Sequence, residues 1–490
     1  MNKIFILLLI MLAVLLKSQV GINTILPHQS SALDVQSGVA PKGFLAPRMS
    51  STERIAISAP AESLLVFDTT EKAFFFYNTA SSSWIKLATD IGSTRNNYRL
   101  IKSASDLSAE LTAGGGNSYL LTSNTYYEIN GTVTLSNSIN INNAYVSGLD
   151  ANEDILSFPG GVVFRGNTGG SIRNLTITGG KAFEITGPGV SSSSSLLIQN
   201  TIVQNTTIGV GSITGLGLYF GNIVNFINNA NGIIYSNIGN LLLNSQAWLD
   251  SNNGTFETFS GTFGSIQKAS GFSTVNNADV ALDVSNANLV VGTGVIEGTV
   301  FSGTSTTQPG YIKGYTSGSY PGFNFSNAWT IDAPGIPRES DSEATGDINL
   351  SAEVGVGQST TFVGTGTPSR MKVNGTTTSN NLFRFSTDNL NNRITYRGNK
   401  TRYFQVAASL SYQGNNDLTV IVYIARNGTV INQTKVYGRG TTGFLVTSGI
   451  IALPVVGTIQ LKKDEYIEIW AERYAGSGDM QTVSLNLTAR

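Results

Sequence analysis

Between residues 119 and 243 the chain is written in apolar runs of three to six residues, parted by gaps of similar length rich in Gly, Asn, Ser and Thr. Examples are Tyr119-Leu120-Leu121, Val133-Thr134-Leu135, Val162-Val163-Phe164, Ile223-Val224-Asn225-Phe226-Ile227 and Leu241-Leu242-Leu243. Such runs are too short for helices and too regular for loops. Coiling buries them: each turn lays down about three short strands, and the corners take residues that tolerate positive φ, Gly and Asn above all. The expected fold is all-β, with a right-handed parallel β-helix over residues 97–325. A β-sandwich array is the alternative, and strands this short favour the solenoid. Residues 104–111 carry one of the few helical patterns, with Ser103 or Ser105 as N-cap, placed to close the mouth of the coil.

Composition narrows the chemistry. Of 490 residues only 12% are charged, Cys is absent, His occurs once (His28) and the formal net charge is −1. Without Cys there is no disulfide framework, no thiolate zinc site and no cysteine nucleophile, and one His cannot build a multi-histidine metal centre. Phosphate binding needs clustered Lys and Arg, so nucleic acid is not an expected partner. No cofactor is expected. The chain is not of disordered type either, since 40% of it is hydrophobic.

At the N-terminus Lys3 precedes an apolar run over residues 4–16, about 20 Å as a helix and short of the ~30 Å hydrocarbon core. Residues 1–18 are expected to be a signal peptide cleaved after Ser18. An uncleaved anchor is the alternative, with Lys17 snorkelling. After cleavage no stable membrane insertion is expected, and the destination is extracellular, on a cell surface or on a virion. Residues 19–96 form a small β-rich module. Residues 326–380, with two prolines close together and an acidic patch, are expected as a connector. Residues 381–490 carry eight strand-like runs, among them Tyr403 to Leu410 and Tyr466-Ile467-Glu468-Ile469-Trp470, and the hairpin signal Asn427-Gly428. They are expected to form a jelly-roll β-sandwich.

Candidate chemical groups are sparse. Asp279 and Asp283, with Glu297 on a following coil, are the best available carboxylates for a hydrolase groove, where two acids about 5–10 Å apart are needed; the plainer reading is solvated turn carboxylates. Asp150, Glu153 and Asp154 match no complete calcium loop. Glu339, Asp341 and Glu343 alternate and would share one face of an extended chain, where three copies at an axis could hold a cation; a solvated linker is the plainer reading. Tyr219, Phe220, Tyr235, Trp248, Tyr311, Tyr315 and Tyr320 are either sugar-stacking platforms or core.

Three resemblances add context. Val20-Gly21-Ile22-Asn23-Thr24, Ser31-Ala32-Leu33-Asp34-Val35, Lys42-Gly43-Phe44-Leu45-Ala46-Pro47-Arg48-Met49 and the aromatic run to Trp84 resemble a module of surface and phage-tail-fibre-like proteins of the Bacteroidetes. The resemblance implies attachment or trimerisation and no chemistry. The stretch Gly170-Ser171-Ile172-Arg173-Asn174-Leu175-Thr176-Ile177 is similar to a coil of pectate-lyase-like β-helices. Tyr423-Ile424-Ala425-Arg426-Asn427-Gly428 and Leu461-Lys462-Lys463-Asp464-Glu465-Tyr466 resemble complement/tumour-necrosis-factor-like jelly rolls, with Asp464 where Gly is usual. Such domains trimerise and bind host-surface ligands, which implies ligand contacts in the loops holding Tyr412, Asn415, Asn416, Asp417, Arg473, Tyr474 and Asp479.

The combined expectation is an exported or virion-associated homotrimeric fibre or adhesin that binds a cell-surface receptor or glycan without catalysis. The alternatives are a tailspike-like polysaccharide depolymerase acting on the β-helix and a purely structural surface protein.

Overall fold

In the computed structural model, residues 19–37, 41–87, 96–305, 310–388, 392–440 and 449–490 are described. The expected signal peptide and the apolar run Phe444-Leu445-Val446 lie outside them. The chain divides into two units, residues 1–96 and 97–490. No helix among the described residues is long and apolar enough to cross a membrane.

The first unit has a parallel pair, Val20–Ile22 with Leu33–Val35, and a four-stranded sheet of Arg48–Met49, Leu65–Asp68, Ala73–Asn78 and Ser83–Lys86. A five-residue helix, Ser51–Ile55, is held by a capping box between Ser50 and Glu53. Asp68 is the anchor. It accepts from Arg54 Nε (2.8 Å), the Ser51 hydroxyl (2.8 Å) and the backbone N–H groups of Thr70 and Glu71 (both 2.9 Å). Burial alone would raise its pKa, and these bonds hold it down at about 2. Arg54 is thus spent inside the unit, its guanidinium 3.9 Å from the Phe75 ring centre. The buried apolar side chains are few (Ala46, Val66, Phe75), whereas Ile25, Leu26 and Leu45 are 96%, 82% and 79% exposed. So little core cannot stabilise a free-standing fold, and so much uncovered apolar surface calls for a neighbour.

In the second unit the apolar runs become a parallel β-helix of about eight turns. One face can be followed through Tyr126, Tyr145, Ser171, Leu197, Phe220, Leu242, Gln267, Val295 and Thr330, each in register with the next. Strand alternation turns the flanking residues inward, so Ile198, Leu243, Ile296 and Ile331 stack in one interior column. A second face brings Phe183, Ile233, Leu282 and Ile312 inward, and a third Leu156, Ile177, Val203, Phe226, Trp248 and Phe301. Gly294 is required by close approach: a Cβ there would lie 2.2 Å from the Trp329 ring. The predicted helix is present as a 3-10 turn and Ser108–Ala113; Leu107 joins the core, and buried Glu110 accepts from the Tyr127 hydroxyl at 2.8 Å.

One corner of the coil is a column of residues with positive φ: Asn174, Asn200, Ile223, Ser245 and Ser270. Asn200 donates to Asn174 across the turn (3.2 Å). Ile223, at φ 54 and half exposed, is the exception, because a β-branched side chain crowds the backbone there. Ile223→Asn is expected to raise stability by about 1 kcal/mol, read as a higher thermal midpoint; a lower midpoint would refute this account of the corner.

The remainder of the unit is two antiparallel sheets around one core that includes Phe404, Val422, Ile469 and Leu487. Its eight principal strands are, in chain order, Gly346–Ser351, Arg393–Tyr396, Arg402–Gln413, Thr419–Arg426, Val436–Arg439, Ile451–Leu461, Tyr466–Ala475 and Met480–Ala489. One sheet has the order first, eighth, third, sixth, and the other second, seventh, fourth, fifth. Residues 326–380 are no free connector: Trp329–Asp332 pairs with the solenoid strand Val290–Glu297, and Gly346–Ser351 pairs with the last strand of the sandwich. Asn427 and Gly428 both have positive φ, as the predicted hairpin needs, and Asp464 adopts φ 67, the left-handed conformation that Gly takes more easily.

The outer faces of the two sheets differ. Tyr403, Gln405, Ala407 and Ser409 on the third strand, Ala452, Pro454, Val456 and Thr458 on the sixth, and Asn486 and Thr488 on the eighth carry no charge. Tyr403 and Val456 are 66% and 68% exposed. The outer side of the other sheet instead bears the ion pairs Arg370–Glu472 (2.7 Å) and Lys372–Glu468 (3.8 Å).

Candidate functional site

The proposed hydrolase carboxylates are not brought to one place. Asp279 accepts from the Gly254 N–H (2.7 Å), a turn-closing role. Asp283 is paired with Lys313 (3.0 Å) and accepts from Ser285 N–H and hydroxyl; burial would raise its pKa, but these contacts lower it. Glu297 lies on a different solenoid face, in register with Asp332, in a crevice of about 430 Å³ that contains neither Asp279 nor Asp283. Asp332 is itself paired with Arg338 (3.0 Å).

The three alternating acids at 339–343 also part company, because a 3-10 turn over Asp341–Glu343 ends the extended chain on which a shared face depended. Glu339 points inward and accepts from the N–H groups of Asn324 (2.7 Å) and Phe325 (2.9 Å). Asp341 is buried against Arg384 and accepts from the N–H groups of Asn399 (3.0 Å) and Lys400 (2.7 Å). Glu343 faces Arg338 at 3.7 Å. Among the described residues no three acidic, His or Cys side chains are grouped as metal ligands would be.

Burial pushes Glu339 up to about 7, against the pull of its two N–H bonds and of Arg384. A folded pKa above the unfolded value of about 4.5 means that its contribution is fully present below pH 4.5 and is lost as pH rises through 7, by about 3 kcal/mol at most. Between pH 4.5 and 8 the melting midpoint of the parent is expected to fall relative to that of Glu339→Gln, which cannot ionise. Parallel curves would refute the assignment.

The ligand-contact candidates of the sandwich are partly brought together. The loops at 414–417 and 474–478 meet, with Ser477 donating to Asp417 (3.2 Å) and accepting from Asn415 (3.3 Å); Asn415, Asn416 and Asp417 are exposed. Tyr412 is not among them: it is fully buried at the inward end of the strand Arg402–Gln413, where burial raises its phenol pKa. Arg473 braces the loop, donating to the carbonyls of Gly364 (2.8 Å) and Gly478 (3.1 Å), and Asp479 accepts from Phe362 N–H (3.1 Å). Tyr474 remains exposed, edge-on to Tyr437 at 5.4 Å.

Of the aromatic candidates on the solenoid, Tyr219, Tyr235 and Trp248 are core. Tyr315 accepts from the Trp329 indole N–H at 3.0 Å. Tyr320 stands beside a cleft where the last solenoid turn meets the sandwich. The polar pair that sequence reading missed is Glu257–Lys268, fully buried at 2.9 Å inside the coil.

Comparison with known families places one segment. Residues 21–104 match the family model described as a phage tail like trimerisation region. No curated protein matches the chain. The match and the β-solenoid together fit a trimeric, tail-fibre-like structural protein.

Proposed function

We propose that this chain is the subunit of a homotrimeric fibre on a virion or cell surface that recognises a cell-surface receptor or glycan without catalysis, its C-terminal sandwich being a jelly roll of the complement/tumour-necrosis-factor-like kind. The trimerisation-region match over residues 21–104 carries the reading. The uncovered Ile25, Leu26 and Leu45 of that region support it, since a lone copy leaves them in water. The strand order of the sandwich supports the jelly roll, as successive principal strands alternate between its two sheets except the fourth and fifth, which pair with each other. The uncharged outer face of its third, sixth and eighth strands supports contact between copies, because charged groups are depleted where surfaces meet. Three weak sites held on one assembly would reinforce one another through effective concentration.

Light scattering on the gel-filtered protein should give three times the chain mass, and the trimer should adsorb to a susceptible cell envelope. A monomer, or a trimer that binds no envelope or glycan panel, would refute the reading.

A further inference from the structure

We infer that the cleft between the last solenoid turn and the sandwich binds an uncharged saccharide. The inference rests on the fibre reading above and narrows it to a place and a ligand class. The cleft, at about 610 Å³, falls within the range of small-ligand sites and suits one to a few sugar rings.

Its apolar wall is aromatic. The Phe323 ring lies nearly parallel to Phe383 with centroids 3.9 Å apart, and Tyr320 stands edge-on to Phe383 at 5.4 Å. Phe383 is buried in the junction, whereas Phe323 and Tyr320 are half-buried, so a ring surface backed by core packing faces open space. Much of the remaining lining is polar. Asn380 and Asn381 are exposed, and their backbone N–H groups are fixed by Asp347 (3.1 and 2.8 Å). The Thr387 hydroxyl on the same lining is buried without a hydrogen-bond partner. None of the side chains lining the cleft is charged.

A sugar ring offers an apolar C–H face and a rim of hydroxyls that both donate and accept. Stacked rings suit the first, and amides and a hydroxyl suit the second. A purely apolar ligand would leave the Thr387 hydroxyl without a partner, and an anionic glycan would find no cation on the lining itself, because the neighbouring Arg397 is spent on Ser386 and Asp464.

The test uses the full-length trimer with saturation-transfer NMR against gluco-, manno-, galacto- and N-acetylglucosamine oligosaccharides, with uronate and sialyl oligosaccharides beside them. At least one neutral oligosaccharide is expected to bind and the acidic ones not. Asn380→Ala, at an exposed position, and Phe323→Ala should each weaken binding about tenfold or more. Silence across the neutral panel overturns the inference, as does undiminished binding in both variants or protection of residues 379–382 by a neighbouring copy. Envelope binding that survives both substitutions overturns this site and leaves the fibre reading standing; a trimer that binds no envelope overturns the fibre reading itself.

Discussion

Lys268→Met is expected to destabilise the solenoid by about 3–5 kcal/mol, because it leaves a buried carboxylate without its counter-charge. Lys268 follows Leu243 and precedes Ile296 in one interior column, and Glu257 takes the place between Ile233 and Leu282 in another. The two reach across the inside of one coil to 2.9 Å, with side chains 1% and 0% exposed. The ammonium also sits 5.0 Å from the Phe256 ring centre, and the second Glu257 oxygen has no partner. Burial raises the Glu257 pKa, so the variant relieves part of the penalty by binding a proton. The sign follows: the variant's deficit should be smaller near pH 5 and grow as pH rises. Glu257→Leu combined with Lys268→Met removes both charges and should recover the parent's stability or exceed it. Denaturant unfolding followed by tryptophan emission is a suitable readout, since Trp248 stacks on Phe256 at 4.5 Å. A single variant within about 0.5 kcal/mol of the parent would show that the pair carries no such role.

The solenoid was legible because burial in a coil repeats a local rule. The inward columns are filled by residues two apart along short strands, and the corners mostly by Asn, Ser or Gly at positive φ, so each run carries its own evidence. The same alternation, followed through Phe404, Val406, Ala408 and Leu410, reaches Tyr412 and places it inside; reading it as a loop residue stopped the strand too soon. What spacing along the chain could not show is which coils and faces meet. Asp283 and Glu297 are close in sequence yet belong to different faces, while Glu297 meets Asp332 one turn later. Lys268 lies two residues after Ile266 and is therefore inward by pattern, but its partner enters from another face of the coil. The junction is less legible still, since Arg384 and Asp341 are 43 positions apart and belong to segments with no common period.

Arg384→Ala is expected to loosen the attachment of the sandwich to the last solenoid turn, again at a cost of about 3–5 kcal/mol. The guanidinium is 2% exposed and serves both bodies at once. It pairs with Asp341 and donates to the carbonyl of Trp329, which belongs to the final solenoid strand, at 2.5 Å. Its own backbone belongs to the sandwich, where its carbonyl accepts from the Arg397 N–H at 2.8 Å. Without the cation, Asp341 keeps only N–H and hydrogen-bond partners for a buried charge, and Trp329 loses a partner for its carbonyl. Arg384→Lys keeps the charge but not the fork that reaches both acceptors, so it should fall between alanine and the parent. Limited proteolysis should cut the alanine variant near residues 334–345, with a second thermal transition as the two bodies melt apart; one transition and an unchanged digest would contradict this. The neighbouring Phe383 ring is the support on which Phe323 lies. A variant that opens the junction should therefore lose saccharide binding as well, whereas Asn380→Ala should lose binding with its melting unchanged, and that contrast separates a damaged scaffold from a missing contact.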